Sequence, residues 1–254
     1  MHRIISTVKQ DQILALVKQG KRVDGRDIEQ YREISVERGV IKTANGSARV
    51  RIGKTQVLVG VKLQHSEPFP DTPNSGTLIV NAELLPMASP TFEPGPPDEN
   101  AIELARVVDR GIRESECIEL EKLGIKEGED VWGVFIDIHV LDHDGNLIDA
   151  SALGATAALL DTKPPQDEAW TLPVFPVTRK PVAVTLAKID ERLLVDPCLD
   201  EENVMDARLT MTTTDDGNLC AIQKGGRGCF TREELERAYE IARERGTGLR
   251  KHLG

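Results

Sequence analysis

The chain has 254 residues, with 32 Lys and Arg against 42 Asp and Glu, and a formal net charge of −10. That balance argues against an autonomous nucleic-acid binder that works through a broadly basic domain, although it permits a local basic patch. A hydrophobic content of 39% and a charged content of 29% exclude a disordered chain, and this length can bury a core without disulfides or metal.

No apolar run approaches the ~18–20 residues that span a bilayer. The first twenty residues carry polar groups through their apolar stretch and lack a signal peptide's cleavage site. Cys117, Cys198, Cys220 and Cys229 are irregularly spaced and contain no C-x-x-C pair, so each is read as a small buried or half-buried apolar residue in a reducing compartment.

In chain order, Ile13, Leu16 and Val17 lie at helical spacing within residues 5–20, with Gly20 as the C-cap. Arg22-Val-Asp-Gly-Arg26 follows as a turn. Residues 47–52 and 55–63 read as two strands around Gly53-Lys54, with arginines alternating against Val50 and Ile52 so that one face is wet. Residues 68–76 read as a loop and 77–85 as a third strand. Five prolines between 86 and 100 forbid a helix or central strand there, and such a segment is either functional or disordered. Residues 99–115 form a helix with Ala101, Leu104, Ala105, Val108 and Ile112 on its apolar face.

A second cycle opens with a strand over 131–141, a turn over 142–146 and a small-residue helix from Asp149 to Leu160. Strands follow over 181–189 and 192–196. Residues 207–214 and 219–224 flank Asp215-Asp-Gly-Asn218, a hairpin signal. Thr231 and Glu234 form a capping box for the last helix, which buries Leu235, Ala238, Tyr239 and Ala242. Sheet then helix, twice over, gives an α+β protein of two similar β/α halves with mostly antiparallel sheets and packed helices.

Four groups of residues bear on chemistry. Asp137, His139, Asp142, His143 and Asp144 resemble metal ligands on paper, but Leu147 and Leu153 occupy positions where a calcium loop needs Gly and Glu, and turn formation accounts for the Asp and Gly residues. Lys224-Gly-Gly-Arg-Gly228 is glycine-rich without the Gly-Lys-Ser/Thr of a phosphate loop, and reads as a flexible link. Asp190, Asp196, Asp200, Glu201, Glu202 and Asp206 form an acidic stretch, either a solubilising loop or a set of Mg²⁺ or general-acid carboxylates. Arg106, Arg110 and Arg113 recur at i, i+4 and i+7 and line one helix side away from the apolar face. They form either a solvated face balanced by Glu103, Asp109 and Glu114 or a row of guanidinium forks for the phosphates of one RNA strand.

Taken together, Arg22-Val-Asp-Gly-Arg26, GSARVRIGKTQVLVGVKL, NAIELARVVDRGIRES, the D-x-D-G turn leading into ASALGATAAL, and LLVDPCLDEENV resemble the RNase PH family over residues 20–245. The likeness is closest to the non-catalytic RNase PH-type subunit of the archaeal exosome. It implies an RNase PH-like fold with an N-terminal helix and turn over 1–25 and one domain over 26–254, whose halves are 26–125 and 126–254. It implies a cytoplasmic hexameric ring, a trimer of heterodimers in which this chain alternates with a catalytic RNase PH-type paralogue. RNA-binding cap proteins sit above the ring, which degrades single-stranded RNA from its 3′ end by phosphorolysis.

Active members of the family carry Gly-(Ser/Thr)-Arg at the start of the small-residue helix, where a hydroxyl, a guanidinium and helix amides bind phosphate. The matching residues here are Asn146, Leu147 and Ile148, followed by Asp149, which is expected to cap the helix. The resemblance therefore implies no catalytic residue, no metal and no cofactor in this chain, and RNA contact through Arg106, Arg110 and Arg113. Two alternatives stand beside it. One is an active phosphorolytic exoribonuclease using Glu202 and Asp206, with Glu201 or Glu202 matching the family's acidic pair. The other is a purely architectural ring subunit.

Overall fold

A computed structural model describes residues 7–254. The described chain runs α1 (Thr7–Lys18), β1 (Ile34–Arg38), β2 (Gly46–Ile52), β3 (Thr55–Ser66), β4 (Thr77–Leu84), α2 (Glu99–Glu114), β5 (Gly124–Lys126), β6 (Asp130–Asp142) and α3 (Leu147–Asp161). It continues as β7 (Val182–Ile189), β8 (Arg192–Val195), α4 (Leu199–Glu202), β9 (Ala207–Thr213), β10 (Leu219–Gly226) and α5 (Arg232–Arg250). The predicted first helix is present from Thr7; its first two residues, 5 and 6, lie outside the described residues.

The first sheet has the order β1-β2-β3-β6-β4, with β5 beside the start of β6. Its pairs are antiparallel except β4 with β6, which run parallel because α2 intervenes between them in sequence. β6 lies beyond residue 125 yet hydrogen-bonds to both β3 and β4 of this sheet. The second sheet, β10-β9-β7-β8, is antiparallel throughout. The architecture is that of an α+β protein, with α3 packed against β2 and β3 on one side and β7 on the other. β1, β5 and α4 lie outside the elements expected from sequence; they are short, and periodicity over three to five residues carries little signal.

The small residues of α3 explain its central place. Ala150, Ala155, Ala157 and Ala158 are fully buried, and a Cβ on Gly154 would stand 2.8 Å from Val59 Cγ2. The helix can therefore lie close against the sheet. In β2, Val50 and Ile52 are buried and Arg51 is exposed, as the alternation predicts. α2 buries the expected apolar face plus Val107 and Gly111. The Thr231–Glu234 capping box is present, with Glu234 N donating to Thr231 Oγ1 at 3.2 Å and Thr231 N donating to Glu234 Oε2 at 2.8 Å. In α5, however, Leu235 is exposed and Tyr239 half-buried, because the helix packs on β7 and β9 and leaves its first turn outside. All four cysteines are free; Cys117 is buried and Cys229 is exposed, contrary to the apolar reading for the latter. Among the described residues no helix is long and apolar enough to cross a membrane.

The N-terminal segment is clasped to the second sheet by a bidentate pair. Arg22 donates Nε to Glu201 Oε1 at 2.9 Å and Nη2 to Oε2 at 2.5 Å, and both side chains are fully buried. The same guanidinium donates to the carbonyls of Val195 at 2.7 Å and Asp196 at 2.8 Å, so its charge is enclosed by acceptors. Removing one partner leaves a buried charge uncompensated. Glu201→Ala is expected to lower unfolding free energy by about 3–5 kcal/mol in urea titration, whereas a loss below about 1 kcal/mol would mean the pair is solvated.

Candidate functional site

The turn before α3 is built from Asp142-His-Asp-Gly-Asn146. Gly145 has φ +89°, and a Cβ there would stand 2.5 Å from the Cys198 carbonyl carbon, so the turn can press against the 197–199 backbone. Thr55 Oγ1 ties the turn to β3, donating to Gly145 O at 2.6 Å and accepting from Asp144 N at 3.1 Å. Asn146 is left-handed at φ +56° and stands at the N-cap, but its side chain caps nothing.

That side chain instead bridges two carboxylates. Asn146 Nδ2 donates to Asp149 at 2.9 Å and to Asp196 at 2.8 Å, while Asn146 N donates to Glu202 Oε1 at 2.8 Å. Asp149 also accepts from Tyr31 Oη at 2.6 Å, Thr185 N at 3.0 Å and Thr185 Oγ1 at 2.7 Å. The expectation that Asp149 caps α3 is therefore corrected. The helix starts two residues earlier, at Leu147, and Asp149 spends its oxygens on Asn146 and on long-range donors in β7 of the second sheet and in the segment before β1. Burial pushes the Asp149 carboxyl up to about 6, against the opposing pull of these donors. Burial likewise pushes Glu202 up to about 7, with the Asn146 amide and Arg208 acting the other way.

A cleft of about 520 Å³ opens at this helix start, walled by the 89–100 segment, α2, α4 and β9. Phe92 of the proline-rich segment stacks on His143 with ring centres 5.3 Å apart. Burial, reinforced by Arg32, holds His143 down at about 4, so the imidazole is neutral at pH 7. Asp98, Glu99, Glu103 and Glu202 line the cleft, and Arg208, the one Lys or Arg lining it among the described residues, is paired with Glu103 at 2.7 Å. Leu147 and Ile148 add apolar surface. A phosphate entering here would meet carboxylates at the very helix end that otherwise favours anions.

The acidic stretch is largely not a solvated loop. Asp196 is fully buried and accepts from Arg26 Nη1 at 2.9 Å, Arg32 Nη2 at 2.7 Å and Arg32 Nε at 2.9 Å. Burial acts to raise its pKa, but the Arg32 hydrogen bonds and charge outweigh this and hold the carboxyl below its usual range. Glu201 is consumed by Arg22. Asp200 pairs with Lys9 at 2.7 Å, and exposed Asp206 accepts from Asp190 N at 2.9 Å. Spacing does not mark Arg22, Arg26, Tyr31 and Arg32 as site residues, since the buried carboxylates they meet lie more than a hundred positions away. The Arg-Val-Asp-Gly-Arg motif was the available signal. Asp137 meets Asn81 at 3.3 Å and His139 meets Glu83 at 3.3 Å; no group fit to hold a metal occurs among the described residues.

The three α2 arginines are all exposed, as expected for a side away from the apolar face. They are not equivalent. Arg106 makes no ion pair or side-chain hydrogen bond among the described residues. Arg110 lies on the β10 edge, with Nη1 3.5 Å from Ile222 O and 3.4 Å from Gln223 Oε1. Arg113 is tied to Asp109 at 2.8 Å and to Leu78 O at 3.0 Å, which makes it the least available of the row.

The Glu202 environment has a testable consequence for stability. Its folded pKa is raised, so the folded state binds more protons than the unfolded state between about pH 4.5 and 7, and stability falls as pH rises through that window. Glu202→Gln keeps an acceptor for Asn146 N and does not titrate. Chemical unfolding is expected to find the variant about 1–3 kcal/mol more stable than the parent at pH 8 and no more stable at pH 4. A constant difference at both pH values would contradict this.

The chain matches the model of the 3′ exoribonuclease family, domain 1, over residues 30–165, and that of domain 2 over residues 180–245. It is 53% identical over 257 residues to the Exosome complex component Rrp42 of Methanopyrus kandleri, covering 98% of this chain and 96% of that protein. It is 52% identical over 260 residues to the protein of the same name from Thermococcus kodakarensis, again covering 98% and 96%. Among solved structures, it superimposes on a chain of the Archaeoglobus fulgidus exosome with RNA bound to the active site, with TM-score 0.94, 49% identity and coverage of 97% and 98%. A chain of an archaeal exosome core gives TM-score 0.89, 46% identity and coverage of 97% and 96%. The two sheets around α3 are thus the RNase PH-like fold, and the chain belongs to the RNase PH family of 3′ exoribonucleases.

Proposed function

We propose that this chain is the non-catalytic, RNA-contacting subunit of an archaeal exosome. It alternates with a catalytic RNase PH-type paralogue in a cytoplasmic hexameric ring, a trimer of heterodimers under RNA-binding cap proteins. The ring degrades single-stranded RNA from the 3′ end by phosphorolysis, and this subunit helps shape its partner's active site without performing chemistry.

The observation that carries the proposal is the start of α3. Leu147 and Ile148 supply neither hydroxyl nor charge, and Asp149 and Glu202 place two carboxylates at the helix end. A bound phosphate needs the reverse arrangement. The likeness to a chain of the Archaeoglobus fulgidus exosome with RNA bound to the active site supports the exosome context. Exposed Arg106 and Arg110 support RNA contact, and Arg113 contributes less because Asp109 and Leu78 hold it.

Phosphate-dependent decay of a short RNA, measured for this chain alone, the catalytic paralogue alone and their mixture, tests the assignment. The mixture is expected to release nucleoside diphosphates faster than either chain, with this chain alone inactive. Robust diphosphate release by this chain alone would establish the active-nuclease alternative through Glu202 and Asp206. In the assembled ring, Arg106→Ala with Arg110→Ala is expected to weaken RNA binding by about tenfold or more, as two charge-assisted contacts are lost. Unchanged affinity across a range of salt would leave a purely architectural subunit.

A further inference from the structure

The glycine-rich segment Lys224-Gly-Gly-Arg-Gly228 has no part in the function proposed so far. Its position links it to the α2 arginines. β10 is the edge strand of the second sheet, and Arg110 rests on that edge at Ile222 O and Gln223 Oε1. Lys224 follows Ile222 on the same face of the strand, about 7 Å further along. Both are exposed. At the strand's end Gly226 takes φ +79°, and a Cβ there would stand 2.8 Å from Asp206 O, so glycine lets the chain turn closely past β9. Arg227 is then presented to solvent.

Two of the carboxylates on α2 are already paired with arginines. Glu103 is held by Arg208 at 2.7 Å and Gln223 at 3.0 Å, and Asp109 by Arg113 at 2.8 Å. Asp206 accepts from Asp190 N at 2.9 Å. Glu99 and Glu114 lie at the two ends of α2. Arg106, Lys224 and Arg227 have no carboxylate partner among the described residues, and Lys224 Nζ donates to its neighbour Gly226 O at 2.7 Å. Arg106, Arg110, Lys224 and Arg227 thus lie on α2 and the adjoining end of β10 with no ion pair among the described residues, although Asp206 packs against Gly226 and Gly228 on either side of Arg227. The glycines between the last two remove the side chains that would keep a bulky backbone away.

We propose that Lys224 and Arg227 extend the RNA-contacting surface of α2, taking backbone phosphates of the same single strand that meets Arg106 and Arg110. This rests on the function proposed above. A chain of regularly spaced phosphates fits a linear series of unpaired cations.

The test uses the ring assembled with the catalytic paralogue, and reads the affinity for a short single-stranded RNA against salt concentration. Lys224→Gln with Arg227→Gln is expected to leave assembly intact and to flatten the slope of log K against log salt by about 1.4, at about 0.7 per phosphate contact. The charge-preserving exchange Lys224→Arg with Arg227→Lys is expected to restore the slope, and Lys126→Gln on β5 of the other sheet to leave it unchanged. An unchanged slope in the neutral double variant, while Arg106→Ala with Arg110→Ala still flattens it, overturns this inference alone. An unchanged slope in the α2 variant overturns the RNA-contacting function itself. Failure of the neutral variant to enter the ring on size-exclusion assigns the segment to a protein interface and overturns the inference.

Discussion

The buried charge cluster around Asp196 and Glu201 is the constraint on which the rest of the molecule depends. Arg22, Arg26 and Arg32 arrive from the segment before β1, and the two carboxylates from the segment after β8. Ions taken out of water at this depth are tolerable only when nearly every donor and acceptor is satisfied. Here Arg22 is enclosed by Glu201 and three carbonyls, and Asp196 by two guanidiniums, a backbone amide and Asn146. The cluster therefore fixes the N-terminal segment, the second sheet and the start of α3 relative to one another.

That fixation decides what the start of α3 can do. Asn146 joins the cluster to Asp149, and Asp149 passes the constraint to Tyr31 and Thr185. The helix end that would attract a free anion is occupied by the protein's own carboxylates, one of them Glu202 on the Asn146 amide. The adjoining cleft inherits this character, since Arg208, which lines it, is spent on Glu103. The polyanion surface proposed above, the outer side of α2 and the neighbouring edge of β10, uses none of the carboxylates that line this cleft. The net charge of −10 is not lessened by the buried cluster, since Arg22, Arg26 and Arg32 balance Asp196, Glu201 and Asp149 there.

Local spacing made much of this architecture legible. The buried stripe of α2, the exposed row of arginines, the small-residue packing of α3, the hairpin at Asp215–Asn218 and the Thr231–Glu234 capping box all depend on residues within a few positions of each other. The acidic stretch and Asp149 were less legible, because their main partners are far off in sequence, Asp149 and Thr185 36 positions apart and Asp200 and Lys9 191 apart. A carboxylate opening a small-residue helix looks the same in sequence whether it caps the helix or joins a buried network. Likewise, nothing in the spacing of β4 and β6 reveals a parallel pair, and Leu235 and Cys229 depend on which surfaces the last helix and its preceding loop leave uncovered. The family motifs reached further than periodicity because Arg-Val-Asp-Gly-Arg and LLVDPCLDEENV are the two sides of one charge cluster.

The central claim is that the start of α3 no longer accepts inorganic phosphate, and direct titration tests it. Thermal unfolding of the isolated chain with added phosphate, against chloride of matched ionic strength, reads binding to the folded state as a saturable rise in midpoint. The account predicts no saturable rise, only the gradual, non-saturating stabilisation that an excluded salt such as phosphate gives any folded protein. A saturable rise specific to phosphate, lost in a variant that blocks the cleft at Ile148, such as Ile148→Glu, would contradict it.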